Sequence, residues 1–452
     1  MPSSNMCRSN LAIARAAMVS AMLSPAMAQA QTEIGAPPLA PKVEAAYEAV
    51  LANAAVTKAL EQIKADDART LEEQKRITEI PAPPFKERTR AQYYLKRMQD
   101  AGLSDASIDA EGNVVGLRKG TGGKPKLVIS AHLDTVFPEG TEVKVKEKDG
   151  ILYAPGIGDD ARGLAALLSL LQAMTANNLK TVGDIMFVGT VGEEELGDLR
   201  GVKALFREHK DIDGFISIDG LNVSRIVNRA TGSHRYEISF KGPGGHSFQE
   251  FGLPSAIHAM GRAIAKISEL ETPNEPKTTF TVGTVRGGTS VNAIAGDARM
   301  TVDMRSNETG ELLRLEKKVL SLVSEAVADE NRRWKSDKIS VDIKLIGDRP
   351  AGTVPEEAAI VQASRGAVAA VSRQPRVTFV GSSTDSNIAM SLGIPAVTIG
   401  GGGEGAGWHS LGEWYKPTNA YLGPQTALLT ALVLVGVPGM SEPLLAARPP
   451  RP

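Results

Sequence analysis

KLVISAHLDT, residues 126–135, decides the fold. The apolar run Lys126 to Ala131 reads as a buried strand, and it ends directly on His132 and Asp134. Two residues apart at a strand end, these side chains face the same side. The rhythm then repeats. GIGDDARG (156–163) leads into helical spacing from Leu164 to Met174, and an apolar strand Ile185–Thr190 runs into VGEEE (191–195). Helical spacing returns over Val202–His209, and the strand Phe215–Ile218 closes on Asp219. Strands alternating with helices predict a mostly parallel sheet with helices on both faces. In open sheets of that kind, ligands bind outside the carboxyl ends of the strands. Three strand ends here carry a histidine or an acid.

Working outward, Val43–Lys64 and Ala68–Ile80 have helical spacing, stopped by Pro81, Pro83 and Pro84, and Arg88–Ala101 restarts a helix that Gly102 ends. Short strands are expected on either side of Glu111-Gly112-Asn113. Beyond Arg229 the pattern changes. Arg235–Lys241, Thr278–Val285, Ala298–Arg305 and Ile339–Ile346 alternate, with helical stretches Ser255–Leu270 and Glu311–Ala328 between them. A βαββαβ order predicts a separate α+β, ferredoxin-like insertion with an antiparallel sheet. From Pro350 the α/β rhythm resumes, with strands Val377–Val380 and Ala396–Ile399. The expected organisation is a leader at 1–30, a catalytic α/β domain at 31–228 and 349–440, an insert at 229–348, and a tail at 441–452.

At 452 residues the chain exceeds one ordinary core, so at least two domains are expected. Lys+Arg 51 against Asp+Glu 52 leaves a net charge of -1 with no basic run, which argues against nucleic acid as a partner. Arg8 and Arg15, the apolar stretch Ala16–Ala26 and the small residues of AMAQA (26–30) read as a cleaved export signal, placing the protein in the periplasm or outside the cell. The single cysteine, Cys7, would be lost with it. The apolar run Thr426–Val437 is shorter than the ~20 residues that span a bilayer and reads as a core helix, so no stable membrane anchor is expected.

His132, Asp159, Glu194, Asp219 and His409 (in GWHS, 407–410) are two imidazoles and three carboxylates, a set that suits zinc and suffices for two ions sharing a bridging carboxylate. Taken singly, Asp159-Asp160 is a helix N-cap and Glu193-Glu194-Glu195 a solvated turn. Their joint order at strand ends points to a metal-dependent hydrolase. No G-x-S-x-G elbow follows a strand, which argues against a serine hydrolase.

These motifs, from IPAPPFKE (80–87) to WYKP (414–417), resemble the two-zinc exopeptidase and deacylase family that includes peptidase T, glutamate carboxypeptidase, aminoacylase, acetylornithine deacetylase and succinyl-diaminopimelate desuccinylase. The resemblance implies an α/β catalytic domain with an inserted lid that makes a homodimer. It implies one zinc on His132, Asp159 and Asp219 and another on Asp159, Glu194 and His409, with cobalt or manganese able to substitute. Glu193 matches the general base to a hydroxide bridging the ions, and Asp134 the residue that orients His132. His246, in GPGGHSF (242–248), resembles a lid histidine that stabilises the oxyanion, often in a partner's site. Asn292 and Arg305 resemble lid residues that hold substrate, and Gly402 belongs to a glycine run (400–403) whose N–H groups approach it. TVGEE (190–194) with LGDLRG (196–201) leans toward a peptidase T-like enzyme acting on short peptides. An N-acyl amino acid deacylase and a non-catalytic zinc or peptide-binding protein are the competing expectations.

Overall fold

Four parallel strands, Asp184–Thr190, Lys126–His132, Gly214–Ile218 and Ala396–Ile399, lie side by side at the centre of a nine-stranded mixed sheet. They belong to a computed structural model that describes residues 38–372 and 376–451; the expected leader, 1–30, lies outside those residues. Leu127, Val128, Ile129 and Ala131 are buried, and so is every residue of Asp184–Thr190. A strand covered on both faces reads as a continuous apolar run rather than an alternation, which is why these segments stood out. Antiparallel strands flank these four: Ser107–Ile108 and Val114–Arg118 on one side and Arg225–Ala230 on the other, the last carrying Gly352–Thr353 antiparallel and Thr378–Ser382 parallel. Register matters more than strand count. His132 pairs with Thr190, so the turns that follow the two strands meet on one edge.

Helices cover the sheet. Ala161–Ala176 is buried over most of its length, and Leu422–Val435 is buried from Gly423 onward, the core helix expected from its apolar run. Among the described residues no helix is long and apolar enough to cross a membrane. The stretch Val43–Lys64 is not one helix but two, Pro41–Leu51 and Ala54–Ala65. Asn53 separates them because its Oδ1 accepts the N–H groups of Ala55 and Val56 at 2.8 and 3.4 Å, which starts a new helix.

A second, four-stranded antiparallel sheet runs in the spatial order Thr278–Gly287, Asp297–Ser306, Gly232–Lys241, Ser340–Arg349. With helices Ala256–Ser268 and Thr309–Arg333 it follows the βαββαβ order read from the sequence. Ile238, Phe240, Met300, Val302, Leu315 and Val319 belong to its own apolar core. Strand alternation then sends Arg235, Glu237, Asp303 and Arg305 to the other, helix-free face, which lines a large cleft. A third, small sheet joins Lys146–Lys148 and Ile151–Tyr153 to Trp414–Lys416 and Glu404–Ala406. Its strands are too short and too charged to show in the sequence, yet it ties the segment before Asp159 to the one around His409.

Candidate metal centre

At the carboxyl edge of the parallel strands, His132 ends its strand, Asp219 follows Ile218 directly, and Glu193 and Glu194 sit in the turn after Thr190. Asp219 is fixed there by its N–H, which donates to the carbonyl of Ile399 at 3.0 Å. Asp159 precedes the helix Ala161–Ala176, whose N-cap is Asp160: its Oδ1 accepts from Gly163 N–H at 3.1 Å and its Oδ2 from His132 N–H at 3.0 Å. One oxygen of Asp159 lies 3.0 Å from His132 Nε2 and the other 3.2 Å from His409 Nε2. His409 Nε2 also stands 3.2 Å from Glu194 Oε1.

Ligand-type atoms of His132, Asp159 and Asp219 lie within 4.8 Å of one another, as do those of Asp159, Glu194 and His409. The two groups share Asp159. These are the two sets that the resemblance implied, assembled from five separate segments of chain. Imidazole nitrogen with carboxylate oxygen is a donor set suited to divalent transition metals, and the residues fit two cations.

Electrostatics reach the same conclusion. Burial pushes Asp219 up to about 7, helped by the charge of Asp159. It also raises Glu194, and it holds Glu193 and Asp160 well above the carboxylate range. Burial would pull His132 down, but Asp134 and Asp159 reverse that and leave it well above the usual histidine value. Hydrogen bonds to Asp159 and Glu194 lift His409 to about 10. Burial would raise Asp159, yet its contacts with His132 and His409 win and lower it. Without cations the surrounding carboxylates therefore favour protonated imidazoles at His132 and His409, whose positive charge offsets them.

Asp134 does more than sit behind His132. Its Oδ1 is 3.7 Å from His132 Nδ1, while its backbone carbonyl, at 3.0 Å, is the closer partner. The carboxylate accepts the N–H groups of Glu193 and Glu194 at 3.1 and 2.8 Å, locking the glutamate turn to the histidine strand. Glu413, fully buried, does the same for Asp159: it accepts the N–H groups of Gly156, Gly158 and Asp159 at 2.8, 2.8 and 3.1 Å. Arg349, buried at the end of the insert's last strand, reaches Glu193 Oε1 at 3.3 Å and the Glu193 carbonyl. Neither Glu413 nor Arg349 was found by sequence reasoning. Glu413 lies four residues from His409 with no strand end to mark it, and Arg349 reads as the close of a surface strand.

The remaining expected residues are dispersed. Arg305 lines the cleft and bonds Asp303. His246 and Asn292 are exposed and lie at adjoining ends of a two-stranded ladder, where Ser247 N–H donates to the Asn292 carbonyl at 3.0 Å; neither lines the cleft of its own chain. Gly402 sits at φ +89 beside the cleft-lining Gly400 and Gly403, but its N–H is committed to the carbonyl of Leu221 at 2.9 Å. That N–H is therefore not open to substrate, and the expectation for Gly402 is corrected in that respect. The cleft measures about 2740 Å³, several times the ~300–1,000 Å³ of a closed small-molecule pocket. Trp408, Leu411, Val136 and Leu196 give it an apolar wall near the metal-type residues.

Residues 128–434 match the peptidase family M20/M25/M40. The chain is 26% identical to the uncharacterised protein YqjE of Bacillus subtilis over 353 residues, 75% of this chain and 91% of that one. It is 26% identical over 238 residues to the succinyl-diaminopimelate desuccinylase of Methylobacillus flagellatus, covering 48% of this chain and 63% of that one. Among solved structures it is similar to a tripeptidase of Staphylococcus aureus, with a TM-score of 0.67, 25% identity, and coverage of 80% of this chain and 97% of the other.

Cation uptake has to expel the protons that the imidazoles hold. Since His409 is held protonated up to about 10, zinc binding at pH 7 should release protons. Affinity should fall on acidification by about tenfold per pH unit for each proton displaced. Calorimetry in two buffers of different ionisation heat reads this directly; uptake without proton release would contradict the assignment of the histidines.

Proposed function

The chain belongs to peptidase family M20/M25/M40, and on that premise we propose that it is an exported, peptidase T-like exopeptidase that uses two zinc ions to cleave short peptides. Metal-dependent amide hydrolysis follows from the family; zinc, the peptide substrate and export are our reading. The observation that carries it is Glu193. This carboxylate stands within 4.8 Å of His132 and Glu194 atoms, beside both donor groups, and among the described residues its only side-chain hydrogen bond is to Arg349. A protein that merely bound zinc or peptide would need the donors but not this neighbour.

Bound to the donor groups, cations would polarise an amide carbonyl and acidify water enough for attack near neutral pH. Glu193 accepts the proton of that water and returns it to the leaving amine. Its burial supports the role, because a buried carboxylate takes up a proton readily. Asp134 fixes Glu193 and Glu194 through their N–H groups, so base and ligand keep their separation. Arg305 offers its planar fork to a substrate carboxylate. A cleft this open must close on a small substrate to exclude water, and the insert is the part placed to do so.

His246 Nδ1 accepts the N–H groups of Phe248 and Gln249, both at 3.3 Å, so the ring's proton belongs on Nε2 as an outward donor suited to an oxyanion. In this reading that donor serves the partner's site in a homodimer. Phe248 and Phe251, 86% and 79% exposed, lie in the same loop and are apolar enough for an interface. The likeness to a desuccinylase supports the second reading, an N-acyl amino acid deacylase with the same centre.

Glu193→Gln should retain both metals and lose turnover by ~10²–10⁴, the usual contribution of acid–base catalysis. Glu194→Gln should lose metal as well as activity. Elemental analysis alongside a panel of di- and tripeptides and N-acyl amino acids separates the two, and the preferred substrate class decides between peptidase and deacylase. An active Glu193→Gln would unseat the base and leave Glu195 as the next candidate. A metal-loaded protein that binds peptide and cleaves nothing would leave the binding-protein reading.

Sedimentation of the active preparation should show a dimer. A monomer with full activity would remove His246 and Asn292 from the site.

A further inference from the structure

On the helix-free face of the insert's sheet, alternating charges run in a chain that ends on the Glu193–Glu195 turn. Arg305 Nε donates to Asp303 Oδ2 at 2.8 Å, and Arg235 Nε donates to Asp303 Oδ1 at 2.9 Å. Arg235 Nη1 then donates to the backbone carbonyl of Glu195 at 2.7 Å, crossing from the insert to the catalytic domain. Asp303 and Arg235 are direct partners across their two strands, so the sheet's register builds the middle link. All four residues line the cleft. Arg349 grips the same turn from the insert's last strand through the carbonyls of Glu193 and Glu195.

Two guanidinium groups share the one carboxylate of Asp303 here, so these three side chains carry one surplus positive charge. Among the described residues, the terminal nitrogens of Arg305 take no protein partner, which leaves a planar fork open to the cleft. A carboxylate bound there would complete an alternation of anion, Arg305, Asp303, Arg235 and carbonyl. It would offset the repulsion between the two arginines, which both hold Asp303 at 2.8 and 2.9 Å.

We propose that this chain is a relay: a substrate carboxylate on Arg305 fixes the Glu193–Glu195 turn through Asp303 and Arg235. The inference rests on the readings of Glu193 as the base and Arg305 as a carboxylate site, and adds that filling that site speeds the chemical step through Asp303 and Arg235. Arg235 and Asp303 are positioning residues, since neither touches the reacting bond. The relay differs from a binding pocket in one respect. A pocket for carboxylate lowers KM, whereas a relay also raises kcat, because filling the fork tightens the hold of Arg235 on a turn that Asp134 and Arg349 already grip.

The test compares the best peptide or N-acyl amino acid of the panel with its C-terminal amide, in zinc-loaded wild-type protein and in Arg235→Met, Arg235→Lys and Asp303→Asn. Arg235→Lys keeps the charge and the stem, which guards against misfolding, but lacks the fork that spans two acceptors. Metal content is matched before rates are compared. The wild-type protein should turn over the acid with a kcat about tenfold above that of the amide, within the ~5–150-fold range of site-to-site couplings. In all three variants that kcat ratio should fall toward one, while KM still favours the acid because Arg305 remains. Variants that slow acid and amide equally, with the ratio preserved, would show a merely structural role and overturn the relay. So would a wild-type protein with no kcat preference for the acid. Failure of fully loaded wild-type protein to cleave anything in the panel is a different result: it overturns the functional reading and takes the relay with it.

Discussion

Six buried or half-buried carboxylates, Asp134, Asp159, Asp160, Glu193, Glu194 and Asp219, converge on one sheet edge, and something positive has to be there with them. Burial of an uncompensated charge is costly, so the group must hold protons or cations. The protein distributes the problem. Backbone N–H groups satisfy Asp134 and Asp160, and Arg349 faces Glu193. Among these six, Asp159 is the one with an oxygen within hydrogen-bond distance of each histidine, 3.0 Å from His132 and 3.2 Å from His409. That leaves Asp159, Glu194 and Asp219 for cations, and makes Asp159 the residue common to two of them.

The parallel sheet is what makes the convergence possible. Strands that end level deliver His132, the glutamate turn and Asp219 to one edge without long loops, and Glu413 ties the Asp159 segment to the His409 segment across 250 residues of sequence. The insert reaches the glutamate turn through Arg235 and Arg349, so its position bears on Glu193 as well as on access to the cleft.

What the sequence revealed follows from where periodicity exists. Lys126–His132 and Asp184–Thr190 are continuous apolar runs, and the residues at their ends were legible as a site because a charged group after a buried strand has few other reasons to be there. The insert's strands alternate cleanly, so its topology was legible too. Three things were not. Asn53 breaks a helical pattern through a side-chain bond that periodicity does not register. Glu413 holds backbone N–H groups of a distant segment, and nothing in its own stretch of sequence announces that. Arg235, Asp303 and Arg349 are ordinary strand charges until the register places Arg235 opposite Asp303 and the chain's return to the central sheet brings Arg349 to Glu193. Gly402 is the reverse case: its glycine run suggested open N–H groups, but the fold spends this one on Leu221.

Asp159 is placed to join two cations. X-ray absorption on the zinc-loaded protein tests it most directly. Two ions sharing a carboxylate predict a metal–metal vector at ~3.5–4 Å, together with nitrogen and oxygen donors and two zinc per chain. A single zinc per chain with no metal–metal vector would contradict it.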